Sequence, residues 1–199
     1  MRSKFGAILV VTGVLVVVGL ACGSGGGSSG PTNSSLKKVC GGQGVEGAAV
    51  YGSAADGAGP FPVAVFRRAS ADDAWFIVGK DRLGADFPDE WTSPKGVQTE
   101  LVVCLTAIER ELVSECPYTA ADDEESEEVE LVIKLYDTTY EAVLRNARTA
   151  EEYDSTTFLA ETDGVCERHA LEMIDQDVRV VDAEPGAGLL PFLDPWVTK

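Results

Sequence analysis

"TELVVCLTAIERELVSEC", residues 99–116, admits two readings. Leu101, Leu105, Ile108 and Leu112 fall at helical spacing, the pattern of an amphipathic helix. Yet "TELVVCLT" is rich in residues that favour strands. A helix would hold Cys104 and Cys116 about 18 Å apart along its axis, beyond the ~7 Å between Cα atoms that a disulfide spans. A hairpin turning around Arg110 would set them opposite each other, although "ERE" lacks the glycine a three-residue turn usually takes. The hairpin is the expectation, and it brings a Cys104–Cys116 bridge with it.

Strand chemistry recurs on both sides of this stretch. "FPVAVFR" (61–67) and "DAWFIVG" (73–79) are short, β-branched and aromatic. In "VELVIKLY" (129–136), Val129, Leu131, Ile133 and Leu135 alternate with Glu130 and Lys134, the period of a half-buried strand. "YEAVLRNA" (140–147), "STTFLAET" (155–162) and "VRVVDAE" (178–184) read as further strands. "ERHALEMID" (167–175) fits a short helix or an irregular strand, and "GKDRLGADFPDEWTSPKG" (79–96) is a loop. Pro185, Pro191 and Pro195 break up residues 185–199, which should pack Leu190, Phe192 and Trp196 as an irregular tail. The fold class expected is mainly β, an antiparallel sandwich or barrel-like sheet with at most one or two short helices.

The cysteines indicate a compartment. Four of the five, Cys40, Cys104, Cys116 and Cys166, form an even set without a C-x-x-C pair. That argues for two disulfides in an exported domain, and against a zinc ribbon or a thioredoxin-like site. Three connectivities are open; the hairpin favours Cys104–Cys116 with Cys40–Cys166. In the chain-entropy model these are worth about 3 and about 5 kcal/mol.

The N-terminus agrees. Arg2 and Lys4 precede "GAILVVTGVLVVVGLA" (6–21), a sixteen-residue run of about 24 Å as a helix, short of a ~30 Å bilayer core. This is the build of a secretory signal. "GLAC" (19–22), followed by "GSGGGSSGPTNSS", resembles the cleavage box and tether of a bacterial lipoprotein precursor. The resemblance implies that residues 1–21 are removed and that Cys22 carries the acyl chains, anchoring the protein stably by more than one chain. Residues 22–38 then form the anchor and a flexible Gly/Ser tether, and 39–199 a single disulfide-bonded domain. The protein would face the periplasm or the cell exterior. "RNARTAEEYDSTTF" (145–158) is similar to hairpins of exported bacterial proteins, a likeness that brings no function with it.

Charge excludes one class of partner. The chain has 16 basic and 33 acidic residues; without Arg2 and Lys4 the balance is 14 against 33, or −19. Such an excess repels nucleic acid. The densest run, "DDEESEEVE" (122–130), includes Asp122, Asp123, Glu124, Glu125, Glu127 and Glu128. It lacks the turn glycine and alternating spacing of an EF-hand loop, and reads first as a solvated connection between strands. The sharper alternative is a weak contact for a basic envelope protein or a divalent cation.

Recognisable catalytic patterns fail on context. Gly42, Gly44 and Gly47 spell G-x-G-x-x-G, but no buried strand precedes them and Gly52 follows too soon for a crossover helix. Their expected role is tight turning beside Cys40. "GGSSG" (26–30) matches the nucleophile-elbow pattern inside the tether, where no strand–turn–helix can form. The single histidine, His169, has no recognisable serine partner. "DFPDEW" (86–91) sets acids beside Trp91, the raw material of a glycosidase but equally an anchored loop. No cofactor, catalytic residue or metal site is expected. The function expected is a non-catalytic binding or scaffolding module. An envelope hydrolase with paired carboxylates, or a small-solute-binding lipoprotein, are the alternatives.

Overall fold

The computed structural model describes residues 31–52, 59–84, 86–92, 98–118, 131–166 and 178–198. In chain order the elements are α1 (Asn33–Leu36), β1 (Val63–Arg68), β2 (Phe76–Ile77), β3 (Leu101–Tyr118), β4 (Leu131–Asn146), β5 (Glu152–Ala160), β6 (Val178–Asp182) and α2 (Gly186–Val197). The fold is mainly β with two disulfides. The strands form one six-stranded sheet in the order β2-β1-β3-β4-β5, with β6 also paired to β4. The sheet is mixed, because β1 runs parallel to β3 and β6 parallel to β4.

Residues 99–116 make neither a helix nor a hairpin. Leu101–Tyr118 is a single strand of 18 residues, antiparallel to β4 from Leu101↔Asn146 to Tyr118↔Leu131. Its helical spacing has a physical origin. The register with β4 slips between Ala107 and Glu109 and again between Leu112 and Ser114, so Ile108 and Val113 are the extra residues of two bulges. The first bulge makes Ala107 to Arg110 a step of three, which keeps Leu101, Leu105 and Leu112 on one face, and the bulged Ile108 falls between them to complete an apparent 3.6-residue period. Both bulge residues are exposed.

β4 likewise fuses the two strands expected at 129–136 and 140–147. Asp137-Thr138-Thr139 offers no glycine or proline for a turn, and Thr138 is fully buried. The alternation expected in its first half holds, with Leu131 and Leu135 buried on one face.

A continuous β3 overturns the disulfide pairing. Twelve residues of strand separate Cys104 from Cys116 by about 40 Å, so they cannot meet. The bridges are Cys40–Cys104 and Cys116–Cys166, with Cα separations of 5.5 and 5.6 Å. They close successive loops, not nested ones. Cys104 pairs in register with Val143 and Cys116 with Ile133, and these lie an even number of residues apart on the unbulged β4. Both bridges therefore stand on the same face of the sheet.

Each face has its own cover. One face carries Val63, Val65, Leu101, Val103, Leu105, Tyr140, Ala142 and Leu144, packed beneath Leu83, Phe87, Trp91 and α2. The other carries Ala64, Phe66, Val102 and Cys104 beneath Leu36, Val39, Val45 and Ala48 of the N-terminal segment. The glycines of the G-x-G-x-x-G match serve this second cover. Gly42 and Gly47 have φ of 81° and 90°, and a side chain on Gly44 would meet the Arg148 carbonyl. Their conformational role is thereby borne out.

The proline-rich C-terminal segment is a helix, contrary to expectation. Leu189, Leu193 and Val197 recur every fourth residue and are completely buried. Prolines within a helix each cost about 3 kcal/mol; burying these three side chains returns about 1.5–3 kcal/mol apiece, and the cover holds.

Candidate functional site

β2 and β6 lie at opposite ends of the strand order β2-β1-β3-β4-β6, yet both line a single cleft of about 240 Å³. The sheet therefore curls toward itself, and the cleft is the seam where its edges approach without pairing. Phe76, Ile77 and Val78 form one lip. Arg179 to Pro185, ending at the cap of α2, form the other. Arg67 and Arg82 complete the lining.

The floor of the seam is an ion-pair network centred on Asp182. Its carboxylate, with only 4% of the side chain exposed, accepts hydrogen bonds from Arg110 Nε at 2.5 Å and Nη2 at 3.1 Å. Thr138 Oγ1 donates to it at 3.3 Å, and Arg67 Nη1 lies 3.5 Å away. Arg67 Nη1 also donates to the Tyr140 hydroxyl at 3.2 Å, which in turn donates to the Ala183 carbonyl at 3.0 Å. Arg110 Nη2 also donates to the Ala69 carbonyl. Residues from β1, β3, β4 and β6 are thus tied together across the curled face.

Local sequence explains the convergence. Arg110 stands opposite Thr138, and Tyr136 opposite Asp182. Thr138, Tyr136 and Tyr140 share a face of β4 because they are two residues apart. The Arg110 guanidinium is raised further above its usual range, chiefly by the Asp182 hydrogen bond, with burial opposing. Burial raises the Tyr140 phenol, and Arg67 opposes that shift. Both shifts keep the Arg110 guanidinium charged and the Tyr140 phenol neutral at neutral pH.

Two arginines of the cleft remain outside this network. Arg82 makes an ion pair only with its neighbour Asp81 among the described residues, at 3.8 Å with both side chains largely exposed. Arg179 has no hydrogen bond or ion pair among the described residues. Around them Phe76, Ile77 and Val180 are 67%, 44% and 53% exposed, an apolar rim beside two guanidinium groups that make no hydrogen bond among the described residues.

The residues singled out from sequence lie elsewhere. Cys22, the acidic run with Asp122, Asp123, Glu124, Glu125, Glu127 and Glu128, and His169 fall outside the described residues. The tryptophans have packing roles. Trp91 is buried, Trp75 lies under Arg68 at 4.5 Å, and Trp196 stacks on Tyr153 with ring centroids 5.5 Å apart. Asp89 of "DFPDEW" pairs with Lys80. Among the described residues no cluster of three or more His, Cys, Asp or Glu could hold a metal ion. Glu100, 7% exposed, has its carboxyl raised by burial, with the Gly52 N–H at 3.0 Å opposing the shift.

Sequence reasoning missed the arginines because it summed charge along the chain. The local signal was present: Arg67, Arg82, Arg110 and Arg179 all lie in or beside strand-like stretches of a strongly acidic chain.

Compared with known proteins, the chain matches no family model, no curated protein and no solved structure. Among the described residues no helix is long and apolar enough to cross a membrane. The two disulfides point to an oxidising, non-cytoplasmic location.

Proposed function

We propose that this protein is an envelope-anchored lipoprotein whose β-rich domain is a non-catalytic binding module. A lipid on Cys22 holds it to a membrane, and the Gly/Ser tether presents the domain at the cell surface or in the periplasm. The observation that carries the binding role is the seam itself. It is a small cleft with apolar lips and a rigid ion-paired floor, and its lining includes no serine, cysteine or histidine. Its buried acid, Asp182, is already engaged by two arginines. Such a lining can hold a ligand; of its two acids only Glu184 stands outside the network, so the cleft has no pair of free carboxylates for hydrolysis. The disulfides and the lipoprotein-like N-terminus support the envelope setting.

Two measurements test this. An alkyne-tagged fatty acid fed to an expressing bacterium should label the wild-type chain. Cys22→Ala should abolish the label and release the protein from the membrane fraction; an unlabelled wild type would remove the anchor. Cross-linking in the intact envelope should then capture a bound component without any turnover that depends on one carboxylate. An activity abolished by substituting one or two particular acids would make the protein a hydrolase instead.

A further inference from the structure

We infer that the β2–β6 seam binds a small monocarboxylate with an apolar body, its carboxylate held by Arg82 and Arg179. This inference rests on the binding-module reading and names its ligand class. The charge of the cleft selects the anion. With their ion partners included, Arg67, Arg82, Arg110 and Arg179 contribute four positive charges and Asp81, Asp182 and Glu184 three negative ones, leaving one uncompensated positive charge. A monoanion neutralises it. A dianion would carry excess charge into a chain of formal net charge −17, whose field opposes it.

Geometry divides the arginines by task. Arg67 is committed to Asp182 and Tyr140 and forms part of the floor. Arg82 and Arg179 keep their planar donor forks available among the described residues, the arrangement that recognises a carboxylate by paired hydrogen bonds. The rim supplies the second half of the ligand. Phe76, Ile77 and Val180 leave apolar surface open to water beside the charged groups, and covering it contributes binding energy in proportion to the area removed from solvent. Size sets the limit. A cleft of about 240 Å³ lies below the usual range for drug-sized ligands, so it takes one small acid and not a polymer.

The full lipidated chain in zwitterionic nanodiscs is the sample for the test. The probes are 3-phenylpropionate, 4-methylpentanoate and octanoate, with 3-phenylpropanamide and phenyl phosphate beside them. Binding is followed by the shifts of the Phe76 and Ile77 amide signals. Saturable binding of at least one carboxylate is expected below millimolar concentration, with the neutral amide at least tenfold weaker. Arg82→Gln/Arg179→Gln should weaken the carboxylate at least tenfold. Arg179→Lys, which keeps the charge but loses the fork, should fall between. Neither arginine has a buried partner among the described residues, so thermal midpoints should be unchanged, and an unchanged midpoint makes the affinity loss a statement about the site. No saturable carboxylate binding, equal affinity in the double variant, or tenfold preference for phenyl phosphate would each overturn the inference. Envelope cross-linking tests the broader binding role separately, so a failure here can be told from a failure there.

Discussion

The β3–β4 ribbon is held together differently along its length. In its first part, Leu101–Ala107 against Tyr140–Asn146, β1 flanks one side and β5 the other, and both faces are covered by apolar side chains. In its second part, beyond Ala107, β3 has no partner on its outer edge among the described residues. Two bulges bend it there, exposing Ile108, Leu112 and Val113. Cohesion in this part comes from the Arg110–Asp182 network, the Lys134–Glu115 pair at 2.8 Å and the Cys116–Cys166 bridge. Apolar burial is non-directional and makes a stable slab. A disulfide clamps each part; ion pairs, which fix particular atoms, distinguish the second, and the cleft is built beside them.

The sharpest way to break this contrast is to remove the clamp on the first part. Cys40–Cys104 closes a sequence separation of 64 residues and pins the whole N-terminal cover to β3. Its replacement by two alanines should cost about 4 kcal/mol and be read as a lower midpoint in urea. Leu144→Ala comes next. The side chain is fully buried against Val103 and α2's layer, and about 3 kcal/mol is expected. Equal protection from hydrogen exchange in both parts of the ribbon, before any substitution, would erase the distinction between them.

The β-rich class and several strands were legible in the sequence, and this contrast was hidden for physical reasons. The alternation of Leu131, Ile133 and Leu135 announced a strand because one face there is buried and regular. Residues 99–116 misled because a bulge inserts one residue into a period of two, and a single sequence does not mark a bulge. The disulfide pairing failed with it, since the Cys104–Cys116 assignment needed a turn at Arg110. Pro191 and Pro195 concealed α2, although Leu189, Leu193 and Val197 carried its stripe; tertiary burial outweighed local propensity. The seam was the least legible feature. It unites residues from Arg67 to Asp182 that are distant in sequence, and only the curl of the sheet brings them together.

Removing the centre of the network should strike the second part most, because Arg110 and Thr138 lie there and only Arg67 and Tyr140 belong to the first. Asp182→Ala leaves Arg67 and Arg110 facing each other without their shared counter-ion. Fully buried pairs lose 3–5 kcal/mol when one partner goes. Here the arginine side chains are 37% and 29% exposed, and water screens part of the loss, so about 2 kcal/mol is expected. Hydrogen exchange should quicken for residues 108–118 and 131–139 and stay slow for 101–107. Uniform quickening along β3 would mean that the network supports the whole sheet.

The smallest effect expected is also the one that changes sign with design. Glu100 stands just before the tightly packed start of β3, and burial raises its carboxyl above the ordinary glutamate value. A raised acid is protonated more readily in the folded chain than in the unfolded one. Its ionisation therefore penalises folding: the penalty is absent below the ordinary glutamate range and complete once pH has passed the raised value. Glu100→Gln retains an oxygen for the Gly52 N–H and removes the charge. The variant should be more stable than wild type at pH 7, by at most about 1 kcal/mol after allowance for screening. At pH 3 the two should unfold at the same denaturant concentration. A variant less stable at pH 7 would show that the carboxylate is held by a favourable charge partner, and the first part of the ribbon would then depend on electrostatics as the second does.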